Sequence, residues 1–63
     1  MKYYIEYNGY YYPTSHTHGW TKLKHRAKGF DSLGEANQRF EELGIRDLDL
    51  AKVVKEEDCK FIS

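Results

Sequence analysis

The dipeptide Asn8-Gly9 constrains this chain more than any other feature. It stands between two runs rich in tyrosine, residues 2–7 and 10–12. A two-residue type I′ turn needs positive φ at both central positions, and Asn-Gly adopts that conformation readily. Aromatic and β-branched flanks suit a pleated, half-buried surface. The chain is therefore expected to open as a β-hairpin, ended by Pro13. The turn also sets the register, with Tyr7 opposite Tyr10, Glu6 opposite Tyr11 and Ile5 opposite Tyr12. One face then carries Tyr3, Ile5, Tyr7, Tyr10 and Tyr12, and the other Tyr4, Glu6 and Tyr11. The first face is expected to meet the core and the second to meet water.

The rest of the chain supplies what must cover that sheet. Residues 14–19 are polar and read as a loop. Residues 20–30 alternate, with Trp20, Lys22, Lys24, Arg26, Lys28 and Phe30 at even positions, which predicts a third strand bearing four cations on one face. Ser32 followed by Glu35 forms a capping-box signature. Leu33, Ala36, Phe40 and Leu43 then fall on one helical stripe, and Gly44 stands where a left-handed C-terminal residue belongs. The spacing predicts a helix over residues 33–43. Residues 50–55 read as a strand because Val53 and Val54 are β-branched, although a helix capped by Asp47 remains an alternative. A turn at 56–58 and a short last strand at 59–62 complete the plan. The expected fold is one α+β domain of order ββ-β-α-β(β), a small antiparallel sheet with one helix on one face.

Length limits what such a domain can do. A chain of 63 residues buries only about 60% of the surface its unfolded form exposes. Such a core leaves little room for an ordinary ligand pocket. Ten aromatic residues and a single proline argue for an ordered chain. No run approaches a membrane span, and no charged-then-apolar leader opens the sequence. One cysteine, Cys59, excludes an internal disulfide, and together these features suggest a cytoplasmic protein.

Net charge is zero but uneven. Residues 1–30 carry five cations against Glu6 alone, whereas residues 31–63 carry five cations against nine acids. The stripe Lys22, Lys24, Arg26 and Lys28, with Trp20 at one end and Phe30 at the other, suits a phosphate backbone with base stacking on either ring. Lysines along a strand also discourage edge pairing, and zero net charge lacks the footprint of a nucleic-acid binder. Tyr4 and Tyr11, placed on the expected wet face, suit a protein interface. The acids Asp47, Asp49, Glu56, Glu57 and Asp58 form a cluster in sequence that either imitates phosphate or solvates the surface. His16, His18, His25 and Cys59 are zinc-type ligands, but their spacing matches no standard module, so no metal site is assigned. Cys59 with His25 lacks an acidic orienter, so no catalytic residue and no cofactor are assigned.

Two resemblances bear on these residues. Gly19-Trp20, Lys28-Gly29-Phe30-Asp31-Ser32 and Glu35-Ala36, within residues 19–43, resemble the strand-to-helix junction of AP2-like arm-binding modules of phage integrases. That resemblance implies a three-stranded sheet laid against DNA with a helix behind it. The whole chain is similar in size and plan to small phage accessory proteins, among them anti-CRISPR inhibitors. That likeness implies function by binding. The expectation is a non-enzymatic protein that occludes a site on a larger nucleic-acid-handling protein or ribonucleoprotein, through Tyr4, Tyr11, Trp20, Lys22, Lys24, Arg26 and Lys28. The alternative is a nucleic-acid-binding module using residues 20–30 directly. A homodimer through a free strand edge is a further expectation.

Overall fold

The computed structural model describes residues 1–14 and 19–62. Its elements are β1 (Tyr3–Tyr7), β2 (Tyr10–Tyr11), α1 (Leu33–Leu43) and β3 (Ala51–Lys55), with 3-10 turns at Lys24–Arg26 and Glu56–Asp58. The fold is α+β, with one three-stranded antiparallel sheet in the order β2-β1-β3.

Local signals place the hairpin and the helix as expected. Asn8 and Gly9 take φ values of 51° and 84°, the left-handed pair a type I′ turn requires. Tyr7 pairs with Tyr10 and Glu6 with Tyr11, and the Tyr12 amide donates to the Ile5 carbonyl at 2.9 Å. The Glu35 amide donates to Ser32 Oγ at 3.2 Å. Gly44 closes the helix at φ 63°. Leu33 opens the expected apolar stripe but remains 48% exposed. β3 is a strand, antiparallel to β1, with Ile5 opposite Val53.

Three expectations are corrected. Residues 20–30 do not form a continuous strand. They touch the sheet at separate bridges, Tyr11–Thr21, Pro13–Ala27 and Tyr3–Phe30, around the 3-10 turn. In that turn the Arg26 amide donates to the Leu23 carbonyl at 3.0 Å and the Ala27 amide to the Lys24 carbonyl at 3.1 Å. Lys24, His25 and Arg26 have no β-branch to hold a pleat there, and the turn lets Ala27 drop onto the sheet, where it is 6% exposed. Residues 59–62 likewise form no strand. They cross the sheet, and among the described residues their one β-bridge is the parallel pair Leu23–Ile62.

The third correction concerns the expected wet face. Tyr4 is 5% exposed and Tyr11 only 1%. One face of the sheet packs Ile5, Tyr12 and Phe30 against Ala36 of α1, with Phe40, Leu43 and Val53 around them. The other packs Tyr4, Tyr11 and Ala27 against Val54, Cys59 and Phe61. The Phe61 ring lies 5.0 Å from Tyr4 and 4.5 Å from Tyr11 between centroids. The C-terminal segment therefore covers the face that α1 leaves open. The physical reason is surface-to-volume: a chain this short gains little from a sheet buried on one side only.

Candidate functional site

The structure disperses the basic stripe and gathers a different group. The Tyr11 amide donates to the Thr21 carbonyl at 2.7 Å, and the Thr21 amide donates back at 2.9 Å. With Thr21 opposite Tyr11, its neighbours Trp20 and Lys22 turn to the face of Tyr12 and Tyr10. There the Trp20 ring stands edge-on to Tyr12 at 5.6 Å and to Tyr7 at 5.8 Å. Lys22 Nζ lies 4.8 Å above the centre of the Tyr10 ring. Tyr7, Trp20 and Lys22 are half-buried, and Tyr10 is 43% exposed. These four side chains form an aromatic and cationic patch at the hairpin end of the helical face. Paired strands hold Tyr7 and Tyr10, and the Tyr11–Thr21 bridge sets Trp20 and Lys22 beside them.

The remaining expected residues lie elsewhere. Lys24 forms an ion pair with Glu56. The Glu56 hydrogen bond and charge raise its pKa, and Lys24 lowers that of Glu56 in return. Arg26 is exposed, and its carbonyl accepts from the Thr14 amide at 2.9 Å. Lys28 lies beside α1, its Nζ 5.8 Å from the Phe30 ring centre. It lines an open cleft of about 300 Å³ with Phe30, Glu35, Gln38, Arg39 and Glu42. Among the described residues, Lys22, Arg26 and Lys28 form no ion pair.

Tyr4 and Tyr11 are structural. The Lys60 amide donates to the Tyr11 hydroxyl at 2.7 Å, and that hydroxyl donates to Glu6 Oε2 at 3.0 Å. Burial, with the Glu6 carboxylate nearby, pushes the Tyr11 phenol up to about 12, against the opposing Lys60 hydrogen bond. Burial also raises Tyr4. Lys52 reaches Glu6 at 3.8 Å from the neighbouring strand. The acids clustered in sequence are divided, with Asp47 and Asp49 before β3 and Glu56, Glu57 and Asp58 after it.

Cys59 is half-buried, and its Sγ donates to the Lys55 carbonyl at 3.3 Å. Burial pushes the thiol up to about 11, opposite to the shift that activates a nucleophile. His25 is exposed in the 3-10 turn, while His16 and His18 lie outside the described residues. Among the described residues no three His, Cys, Asp or Glu side chains stand together as a metal site. No helix among them is long and apolar enough to cross a membrane.

Reading the sequence placed Tyr7 and Tyr10 in the core and so missed them as surface groups. The signal that would have found them is the pairing of residues 20–22 with 10–12, which puts Lys22 across from Tyr10. No protein-family model, curated protein or solved structure matches the chain.

Proposed function

We propose that this chain acts by binding, occupying a site on a larger protein or ribonucleoprotein through the Tyr7, Tyr10, Trp20 and Lys22 patch. The observation that carries this reading is Lys22 seated over the exposed Tyr10 ring beside Trp20. Tyrosine and tryptophan held on rigid elements give large contact area at low entropic cost, and they dominate interface hot spots. Lys22 adds charge selectivity at the rim. The likeness in size and plan to phage inhibitors supports a blocking role, and nucleic-acid-handling complexes are the partner class to examine first.

A direct nucleic-acid role is the second reading. Trp20 beside a cation also suits a base and its phosphate. Against it stand the ion pair that occupies Lys24 and the zero net charge of the chain.

Photo-crosslinking tests the choice. A benzophenone side chain at position 10 is expected to capture one defined protein, while the same group at exposed position 41 on α1 captures none. Equal capture at both positions would overturn the assignment of the patch. Titration with mixed-sequence DNA and RNA, followed by Trp20 emission, is expected to give a flat signal even at low salt. A saturable change that weakens with salt would instead establish the nucleic-acid reading.

A further inference from the structure

β3 pairs with β1 alone, so among the described residues it is an open edge of the sheet. The Asn8 amide donates to the Leu50 carbonyl and the Glu56 amide to the Lys2 carbonyl, both at 2.9 Å. These two bonds bracket the β1–β3 ladder. Antiparallel ladders alternate, so Lys52 and Val54 turn their backbone groups toward β1. Ala51, Val53 and Lys55 then turn theirs outward. The Lys55 carbonyl already accepts from Cys59 Sγ and keeps a second lone pair.

Charge frames this edge. Exposed Asp47 and Asp49 precede the strand, and exposed Glu57 and Asp58 follow it. The five-residue ladder between them spans about 16 Å. Within it, Lys52 is answered by Glu6. Edge lysines guard against indiscriminate pairing. Acids at both ends select a strand that brings cations to both ends.

We infer that the β3 edge accepts an extended segment of a partner protein by strand addition, with β-forming uncharged residues in its middle and a cationic residue pair at each end. The outward amides and carbonyls of Ala51 and Val53 form the ladder, a recognised mode of peptide capture. Asp47 and Asp49 receive one cationic end, Glu57 and Asp58 the other. A second copy of this chain fits less well, because antiparallel pairing centred on Val53 brings Asp49 against Glu57. This edge lies across the sheet from Tyr10 on β2, with Tyr7 of β1 opposite Ala51, and the inference does not depend on the role of the hairpin-end patch.

The test uses the full chain and two synthetic nonapeptides, each with a Thr-Val-Thr-Val-Thr middle. One ends in Lys-Lys at both termini, the other in Glu-Glu. The cationic peptide is expected to give saturable amide shifts at Ala51, Val53 and Lys55. It should slow exchange at Ala51 and Val53 by more than tenfold while leaving Lys52 and Val54 nearly unchanged. The anionic peptide should bind on the order of tenfold more weakly or not at all, given like-charge juxtaposition at both ends. The double variant Asp49→Lys, Glu57→Lys changes only exposed side chains and is expected to reverse that preference. No saturable shift, equal binding of both peptides, or shifts confined to other residues would overturn the inference. So would peptide-free, concentration-dependent protection of Ala51 and Val53, because the edge would then belong to a second copy.

Discussion

Replacing Tyr11 with phenylalanine removes one oxygen and keeps the ring. That oxygen accepts the Lys60 amide at 2.7 Å and donates to Glu6 Oε2 at 3.0 Å. It therefore ties the segment bearing Phe61 to the sheet. Glu6 retains Lys52 as a partner at 3.8 Å, so the main loss is an amide left without its acceptor. Such a loss costs about 1–2 kcal/mol. In a domain of this size each kcal/mol shifts Tm by roughly 4–8 °C, so a fall of about 4–16 °C is expected. The change should be directional as well, because Lys60 exchange should accelerate before that of β1. Tyr11→Ala is too severe to be informative. Truncating a buried aromatic costs about 3–5 kcal/mol, which is comparable to the whole stability of a small domain, about 3–9 kcal/mol at this length. Circular dichroism melts and amide exchange on Tyr11→Phe form the assay. An unchanged Tm with unchanged Lys60 exchange would refute the reasoning that this hydroxyl holds the second layer in place.

Further outcomes follow from the same geometry. Cys59, held near 11 against an ordinary 9.0, should react with a thiol reagent at pH 8 about 100-fold more slowly than in the denatured chain, since two pKa units set the thiolate fraction. A native rate equal to the denatured one would contradict its burial. At alkaline pH the folded state resists losing the Tyr11 proton. The stability from that group is therefore present below pH 10 and lost as pH rises toward about 12; Tyr11→Phe should reduce this slope in urea melts, and an unaltered slope would deny Tyr11 the role. Asp31 is lowered by its hydrogen bond and ion pair with Lys2, as Glu56 is by Lys24. Stability from both is present above the unfolded carboxylate pKa and lost as pH falls through the lowered values. Acid sensitivity should weaken in Asp31→Asn, and an identical acid limb would rule the pair out. Gly9, at φ 84°, should lose about 1 kcal/mol on substitution by alanine; a melt indistinguishable from wild type would argue against the type I′ turn.

Elements with local signals were legible in the sequence. Asn8-Gly9 encodes its own turn, and Ser32, Glu35 and Gly44 mark both ends of α1 without reference to the rest of the chain. The burial of Tyr4 and Tyr11 was not legible. It depends on Phe61, which lies 50 residues beyond Tyr11 in sequence and reaches it only when the C-terminal segment crosses the sheet. Alternation along β1 separates two faces but does not say how many layers will cover them. The basic stripe failed for a related reason. Period-2 spacing assumes one uninterrupted strand, and a single 3-10 turn at Lys24–Arg26 redirects its members. Trp20 and Lys22 precede that turn, so they kept a shared face and became the centre of the candidate site.

The division between core tyrosines and surface tyrosine is the centre of this account, and one comparison tests it directly. Partner capture by Tyr11→Phe is measured beside capture by Tyr10→Ala with Lys22→Ala, at a temperature where circular dichroism shows both folded. The account predicts that Tyr11→Phe captures as well as the unaltered chain, while the double variant loses capture with its melt little changed. Retained capture by the double variant, with loss in Tyr11→Phe, would return the interface to the face covered by Phe61 and contradict the account.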